Sequence, residues 1–203
     1  MTDLRLYWNT IRHLEREQLW HQAGARVRRA LPAGRPVQAP VELEIRPDWG
    51  PRVDRCRTTP DPETLAGRFR FWGREHRLDL RRPWLASAEG KSWNYPVHYF
   101  DHVPSLAAAA RATGDGALRD ALCQHLESWI AVHPPGSRVA WEPYPTALRI
   151  VNWLDVVHEL ESWSEPGWRE AVLQSVYMQT AWLERHLERH LVGTHLLKDA
   201  KAL

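Results

Sequence analysis

The chain has 203 residues, 43% of them apolar, and a formal net charge of +2. That allows one folded domain with a core of its own, makes two very small domains the less favoured division, and excludes a disordered chain. Charge is unevenly spread, with 17 arginines against 11 acidic residues up to residue 82 and 10 basic against 14 acidic beyond it, too weak a positive balance for a dedicated nucleic-acid binder.

Leu4 to Leu31 has the spacing of an amphipathic helix, with Leu4, Tyr7, Trp8, Ile11, Leu14 and Leu19 recurring at helical intervals. Charges interrupt it, so it lacks the apolar centre of a signal peptide, and no uncharged run approaches the roughly 20 residues of a membrane span. The expected compartment is the cytoplasm, or the periplasm if a leader has been lost, with no membrane partner. Pro32, Gly34 and Pro36 end the helix. Pro40, Pro47, Pro51, Pro60 and Pro62 then rule out long helices, and Val41 to Ile45 alternates like one short strand. Gly67-Arg68-Phe69-Arg70-Phe71-Trp72-Gly73 alternates apolar and basic residues and is followed by Leu78 and Leu80, which predicts a small β-hairpin.

From about His98 the pattern becomes helical, over roughly 98–112, 115–132, 144–162, 166–190 and 195 to the end. Breaks fall at Gly114, at His133-Pro134-Pro135-Gly136, at Ser164-Glu165-Pro166-Gly167 and at Gly193. The expected organisation is a segment 1–82, a helix with a Pro-rich extended stretch and a small hairpin, followed by a helical part, 83–203. Helices joined by short breaks predict antiparallel neighbours, as in a bundle or an α/α toroid. The expected fold is therefore all-α, a partial toroid of helical hairpins with a short strand-containing segment near its start. No Gly-rich phosphate loop marks a nucleotide-binding α/β fold. The last helix runs to Leu203 without a terminator, so the fold is expected to be incomplete there.

Three stretches carry groups suited to chemistry. In Trp93-Asn94-Tyr95-Pro96-Val97-His98-Tyr99-Phe100-Asp101, aromatic and polar residues alternate just before a helix. They are equipped to stack on a sugar ring and bond its hydroxyls, or to act as a hydrophobic staple at the helix start. In Trp141-Glu142-Pro143-Tyr144-Pro145-Thr146-Ala147-Leu148-Arg149-Ile150-Val151-Asn152-Trp153, helical spacing groups Arg149, Asn152 and Trp153. Such a face suits a uronic acid, or equally serves to satisfy a neighbouring loop. Of the twelve tryptophans, Trp129, Trp163, Trp168 and Trp182 fall in or beside helical patterns and belong to the core.

The third stretch ends in Gly193-Thr194-His195. His186 and His190 are four apart, a spacing that can hold a metal, but no Glu follows His186 directly as a zincin motif requires, and no metal is assigned. Around His195, Leu196, Leu197, Ala200 and Leu203 are apolar, an environment in which burial tunes an imidazole. Cys56 and Cys123 form no disulfide or thiolate pattern. Lysine occurs only at Lys91, Lys198 and Lys201, so positive charge is nearly all arginine, compatible with an anionic ligand and equally with arginine-rich codon usage.

Taken in order, Trp93-x-Tyr95-x-x-His98-Tyr99-Phe100-Asp101, Trp141-x-x-Tyr144-Pro145-x-x-Leu148-Arg149-x-x-Asn152-Trp153 and His190-Leu191-x-Gly193-x-His195-Leu196-Leu197 resemble the N-terminal part of heparinase II/III-like polysaccharide lyases. The resemblance spans essentially this whole chain, including Leu6-Tyr7-Trp8, and the front third or so of such a protein. It implies an α/α toroid followed by a β-sandwich, with an anionic polysaccharide or oligosaccharide in the cleft and no cofactor. The implied reaction is β-elimination: the uronate carboxylate is neutralised, a base removes the C5 proton and an acid protonates the leaving oxygen. It places His195 in the catalytic shell, with Thr194 where the family has an Asn that helps neutralise the carboxylate, and Asp199 where the family often has Asn. Tyr95, His98, Trp141, Tyr144, Arg149 and Asn152 are implied to bind substrate or shape the cleft. The family's catalytic tyrosine and a further histidine are implied beyond Leu203, so the 203-residue chain is expected to be inactive or nearly so. The alternative is a non-catalytic carbohydrate-binding or scaffold module, in which the same aromatics hold a polymer that is never cut. A third possibility is a truncated product whose open last helix exposes apolar surface.

Overall fold

The computed structural model describes Gly24 and residues 61–162, 165–188 and 194–203. The helix expected over Leu4 to Leu31, the strand at Val41 to Ile45, and Cys56, Trp163 and His190 lie outside the described residues.

A 3₁₀ turn, Pro62–Ala66, is capped by the Asp61 carboxylate, which accepts from the Glu63 N–H at 3.1 Å. It ends at Gly67, with φ +87, where a Cβ would collide with the Leu78 carbonyl oxygen; glycine alone lets the chain enter the hairpin this way. The predicted hairpin follows as β1, Arg68–Phe71, and β2, Arg74–Arg77, antiparallel with Arg70 opposite Glu75. Trp72 and Gly73 make the turn with φ +49 and +76, positive at both centres as a two-residue turn with strand-matching twist requires. The alternation resolves as expected. Phe69 is buried against the helices, while Arg70 reaches across the outer face to Glu75 at 2.7 Å.

Among the described residues six helices follow: α1 Lys91–Val97, α2 Val103–Thr113, α3 Gly116–Val132, α4 Pro143–Leu160, α5 Pro166–His186 and α6 Thr194–Ala202. Local signals set their ends. Pro104 and Pro143 occupy first turns, where no N–H is needed. Gly114, at φ +70, closes α2, and Asp115 caps α3 by accepting from the Leu118 N–H at 3.0 Å. The helix expected over 98–112 begins instead at Val103, and the aromatic motif before it forms the separate helix α1. The break is at Phe100, whose φ of +61 cannot continue a right-handed helix.

The described chain is mostly helical. Its centre is α4, which packs against α2, α5 and α6, while α3 packs on α2 and α5. Because neighbours surround it, α4 is buried around most of its circumference, and polar residues such as Arg149 and Asn152 are enclosed with Ile150, Trp153 and Val157. Phe100 anchors the core, stacked on Trp84 at 5.6 Å and edge-on to Trp153 at 5.3 Å and Trp129 at 6.1 Å. Phe69 lies 6.0 Å from Trp84, so the hairpin and the helices share this core across residue 82. Among the described residues no helix is long and apolar enough to cross a membrane.

Four histidines lie in the aromatic core. His102 and His125 meet through Nε2 at 3.1 Å, His133 Nε2 accepts from the Trp84 N–H at 3.1 Å, and His98 Nδ1 accepts from the Trp129 indole N–H at 3.2 Å. Burial is the main force lowering their pKa values, to about 3 for His102 and His133 and well below the ordinary imidazole range for His98 and His125. In the unfolded chain the same rings take up protons near pH 6.5. Their contribution to stability is therefore whole above about pH 6.5 and falls as pH drops, by roughly 1.4 kcal/mol per pH unit for each ring once the unfolded form is protonated. Four rings give about 5.6 kcal/mol per unit, enough to exhaust a typical domain stability of about 5–15 kcal/mol within a few pH units. We expect cooperative unfolding between about pH 6 and 4, followed by tryptophan fluorescence. A urea midpoint at pH 5 equal to that at pH 7 would contradict this account.

Candidate functional site

On α1, Lys91 and Tyr95 are four residues apart on one face. Both reach Glu142, the N-cap of α4. The Tyr95 hydroxyl donates to Glu142 Oε2, and Lys91 Nζ bonds Oε1 at 2.6 Å. Two residues on, the Tyr144 ring stands edge-on to Tyr99 at 5.6 Å and lies 4.3 Å from the His195 ring on α6. His195 Nδ1 is 2.9 Å from Glu188 Oε2. Glu188 is buried, and its backbone N–H donates to Asp199 Oδ2 at 3.1 Å. Three stretches distant in sequence thus meet in one half-buried polar cluster.

Burial, then Glu142, raises the Tyr95 pKa; burial, then Tyr144 and Asp101, raises that of Tyr99. Both phenols therefore hold their protons and act as donors. Asp199 is enclosed, with Oδ1 lacking a hydrogen-bond partner among the described residues. Burial lifts its pKa to about 6, reinforced by the charge of Glu188 and opposed by the Glu188 N–H and by His195.

The predicted site residues divide into two layers. Tyr95, Tyr144 and His195 are half-buried, and Thr194, the first residue of α6, is exposed. His98, Trp141, Arg149 and Asn152, expected to bind substrate or shape the cleft, are buried behind them. Their polar atoms serve the fold. Arg149 Nε donates to Gln179 Oε1 at 2.8 Å, and its terminal nitrogens donate to the carbonyls of His98 at 3.2 Å and Ala140 at 2.8 Å and to Thr146 Oγ1 at 3.3 Å. Asn152 Nδ2 donates to the Tyr99 carbonyl at 2.7 Å and to Asp101 at 2.9 Å. The Trp141 indole donates to the His133 carbonyl at 2.9 Å. Of the two roles open to the Arg149–Asn152 pair, the structure shows the loop-satisfying one: it holds the turn at 98–101 and with it Tyr99.

His195 also departs from expectation. Leu197 and Leu203 are 69% and 53% exposed and do not enclose it; its burial comes from Tyr144 and Glu188. His186 stacks on Trp182 at 3.8 Å and its Nδ1 donates to the Trp182 carbonyl at 2.7 Å. Trp129 and Trp168 are buried as expected, Trp182 half-buried, and Trp72 is 70% exposed at the hairpin turn. Sequence reasoning missed Glu142 and Glu188. Glu142 carried a signal as the residue before a Pro-rich helix start; Glu188, within a run of charges, carried none.

Two predictions follow from these layers. Lysine cannot reproduce the guanidinium fork, and removing it strands four oxygens, so Arg149→Ala should lower stability by about 3–5 kcal/mol and Arg149→Lys by at least about 2 kcal/mol in urea titration. Equal stability of Arg149→Lys and the parent would refute this role. For Asp199, the folded group keeps its proton to about pH 6 while the unfolded one loses it near 4, so its burial penalty grows from pH 4 to 6 and persists above. Asp199→Asn should therefore raise stability by about 1 to 3 kcal/mol at pH 8, with the gain roughly halved at pH 5. A gain independent of pH would show that ionisation of Asp199 is not the cause.

Compared with known proteins, the chain matches no model of a protein family, no curated protein and no solved structure.

Proposed function

We propose that this chain is the N-terminal helical part, a partial α/α toroid, of a heparinase II/III-like polysaccharide lyase that cleaves uronic-acid-containing polysaccharide by β-elimination. The observation that carries the proposal is the convergence of the three stretches bearing the family resemblance: Tyr95 and Tyr99 from the first, Tyr144 from the second and His195 from the third lie in one half-buried cluster. Elimination beside a uronate requires groups that exchange protons and donors that stabilise charge growing on the carboxylate. His195 supplies an exchangeable imidazole nitrogen. Tyr95 and Tyr99 supply protonated phenols, and Lys91 a cation held by Glu142 at the margin.

Thr194 is the weak point of this equipment. Its hydroxyl offers one donor where an amide offers two, so carboxylate neutralisation here depends on other groups. The family's tyrosine base or acid and its second histidine belong to a region not represented in these residues, and the 203-residue chain alone is proposed to bind substrate without appreciable cleavage. The alternative is a non-catalytic carbohydrate-binding or scaffold module in which the same aromatics hold a polymer that is never cut; Trp84, Trp93, Trp129, Trp141 and Trp153 are buried, which leaves that role to the half-buried tyrosines.

The test uses heparan sulfate, alginate and acidic bacterial exopolysaccharide. The chain is expected to bind at least one of them, with His195→Ala and Tyr144→Ala each weakening binding about tenfold, roughly the worth of one charge-assisted or stacking contact. Ultraviolet absorbance of unsaturated uronate should appear once downstream coding sequence is included. Binding without product from that longer protein would favour the non-catalytic module, and no binding to any of the three would sink both.

A further inference from the structure

We infer that Glu188 is the positioning residue of His195, fixing its ring with Nδ1 toward the protein and leaving Nε2 as the nitrogen presented to a ligand. Three observations carry this. Glu188 is 8% exposed, so its contact with His195 Nδ1 at 2.9 Å is not one of the loose ion pairs of a solvated surface. The same residue is gripped a second time, because its backbone N–H donates to Asp199, one turn along α6 from His195. His195 and Asp199 are thus an i, i+4 pair that clasps residue 188 by side chain and backbone together. Finally, the face of the His195 ring lies against Tyr144, which restricts the ring plane while Glu188 sets its rotation within that plane.

The chemical consequence is a choice of tautomer. An ionised carboxylate only accepts hydrogen bonds, so the nitrogen facing Glu188 must carry hydrogen. Nε2 has no hydrogen-bond partner among the described residues, and in the neutral ring it holds the lone pair. A free imidazole side chain in water favours the opposite arrangement, with hydrogen on Nε2, so the tautomer inferred here is one that Glu188 imposes. Carboxylates that orient a histidine in this way act on where the working nitrogen points and which proton it holds, without touching the substrate. What Nε2 then does, taking a proton or donating to a carboxylate, rests on the lyase proposal; the tautomer does not.

The test is nitrogen NMR of the full 203-residue chain labelled with ¹⁵N-histidine, at about pH 8, above the ordinary imidazole range. The His195 resonances are identified by their loss in His195→Ala. The wild-type ring should show hydrogen on Nδ1 and a lone-pair shift at Nε2. Glu188→Gln, whose amide oxygen still accepts, should retain that pattern. Glu188→Ala should exchange the two shifts. Hydrogen on Nε2 in the wild type overturns the inference whether or not the variants fold, and so does a folded Glu188→Ala chain whose pattern is unchanged. Absence of polysaccharide binding with the wild-type tautomer as stated would count against the lyase proposal and leave the role of Glu188 standing.

Discussion

The described fold depends on a buried arginine whose hydrogen-bond partners among the described residues are all neutral. Arg149 is fully enclosed, and burial opposes its charge, yet a guanidinium keeps its proton in a protein. The charge is carried by neutral oxygens, from the His98 and Ala140 carbonyls, Gln179 and Thr146, and by the face of Trp129, whose ring centroid lies 4.0 Å from the guanidinium carbon. Each contact belongs to a different piece of chain. One side chain on α4 therefore sets the position of α5 through Gln179, of the turn after α1 through His98, and of the loop before α4 through Ala140. Both attached segments contain a non-glycine residue with positive φ, Phe100 at +61 and Val139 at +68. Such conformations cost on the order of 1–3 kcal/mol and persist only where surroundings over-determine them. Bonds from Arg149 and Asn152 supply that determination on either side of Phe100.

The same cation reinforces burial in keeping nearby histidines neutral. After burial, Arg149 is among the causes that depress His98 and His133. A protonated imidazole beside an enclosed guanidinium would place two like charges in a medium that screens them poorly. Neutral rings can instead accept hydrogen bonds, as His98 does from Trp129 and His133 from the Trp84 backbone.

Much of this organisation was legible in the sequence where a local rule decides the outcome. The hairpin followed from alternation around Trp72-Gly73, and the helix breaks from Gly114 and the prolines. What one sequence could not tell was which side of α4 faces out, because helical spacing places Arg149 and Asn152 on a common face without saying what covers it. On a helix enclosed by three others, nearly every face points inward, and polar residues that resemble ligand contacts become internal staples. The separation of α1 from α2 was hidden for a related reason: Phe100 adopts a backbone region its own propensity disfavours, held by groups about fifty positions away. Glu188 was hidden by composition, since Glu184, Arg185 and Arg189 surround it in sequence and describe a solvated face, whereas contact with His195 and Asp199 buries it.

The site's geometry consequently rests on how α6 seats against α4. The helix has nine residues, and among its described side chains Leu197 is 69% exposed while Asp199 is buried. Its seated side carries Asp199, a carboxyl whose ionisation opposes folding above about pH 6. A sequence selected for stability alone would place an apolar or amide residue there. Asp199 nevertheless provides the acceptor for the Glu188 N–H, and Glu188 provides the acceptor for His195, so the unfavourable charge is spent on orientation. Local cost combined with precise aim is the pattern expected where function, and not folding, has determined the residue. It is strongest at α6, the helix that brings His195 to Tyr144.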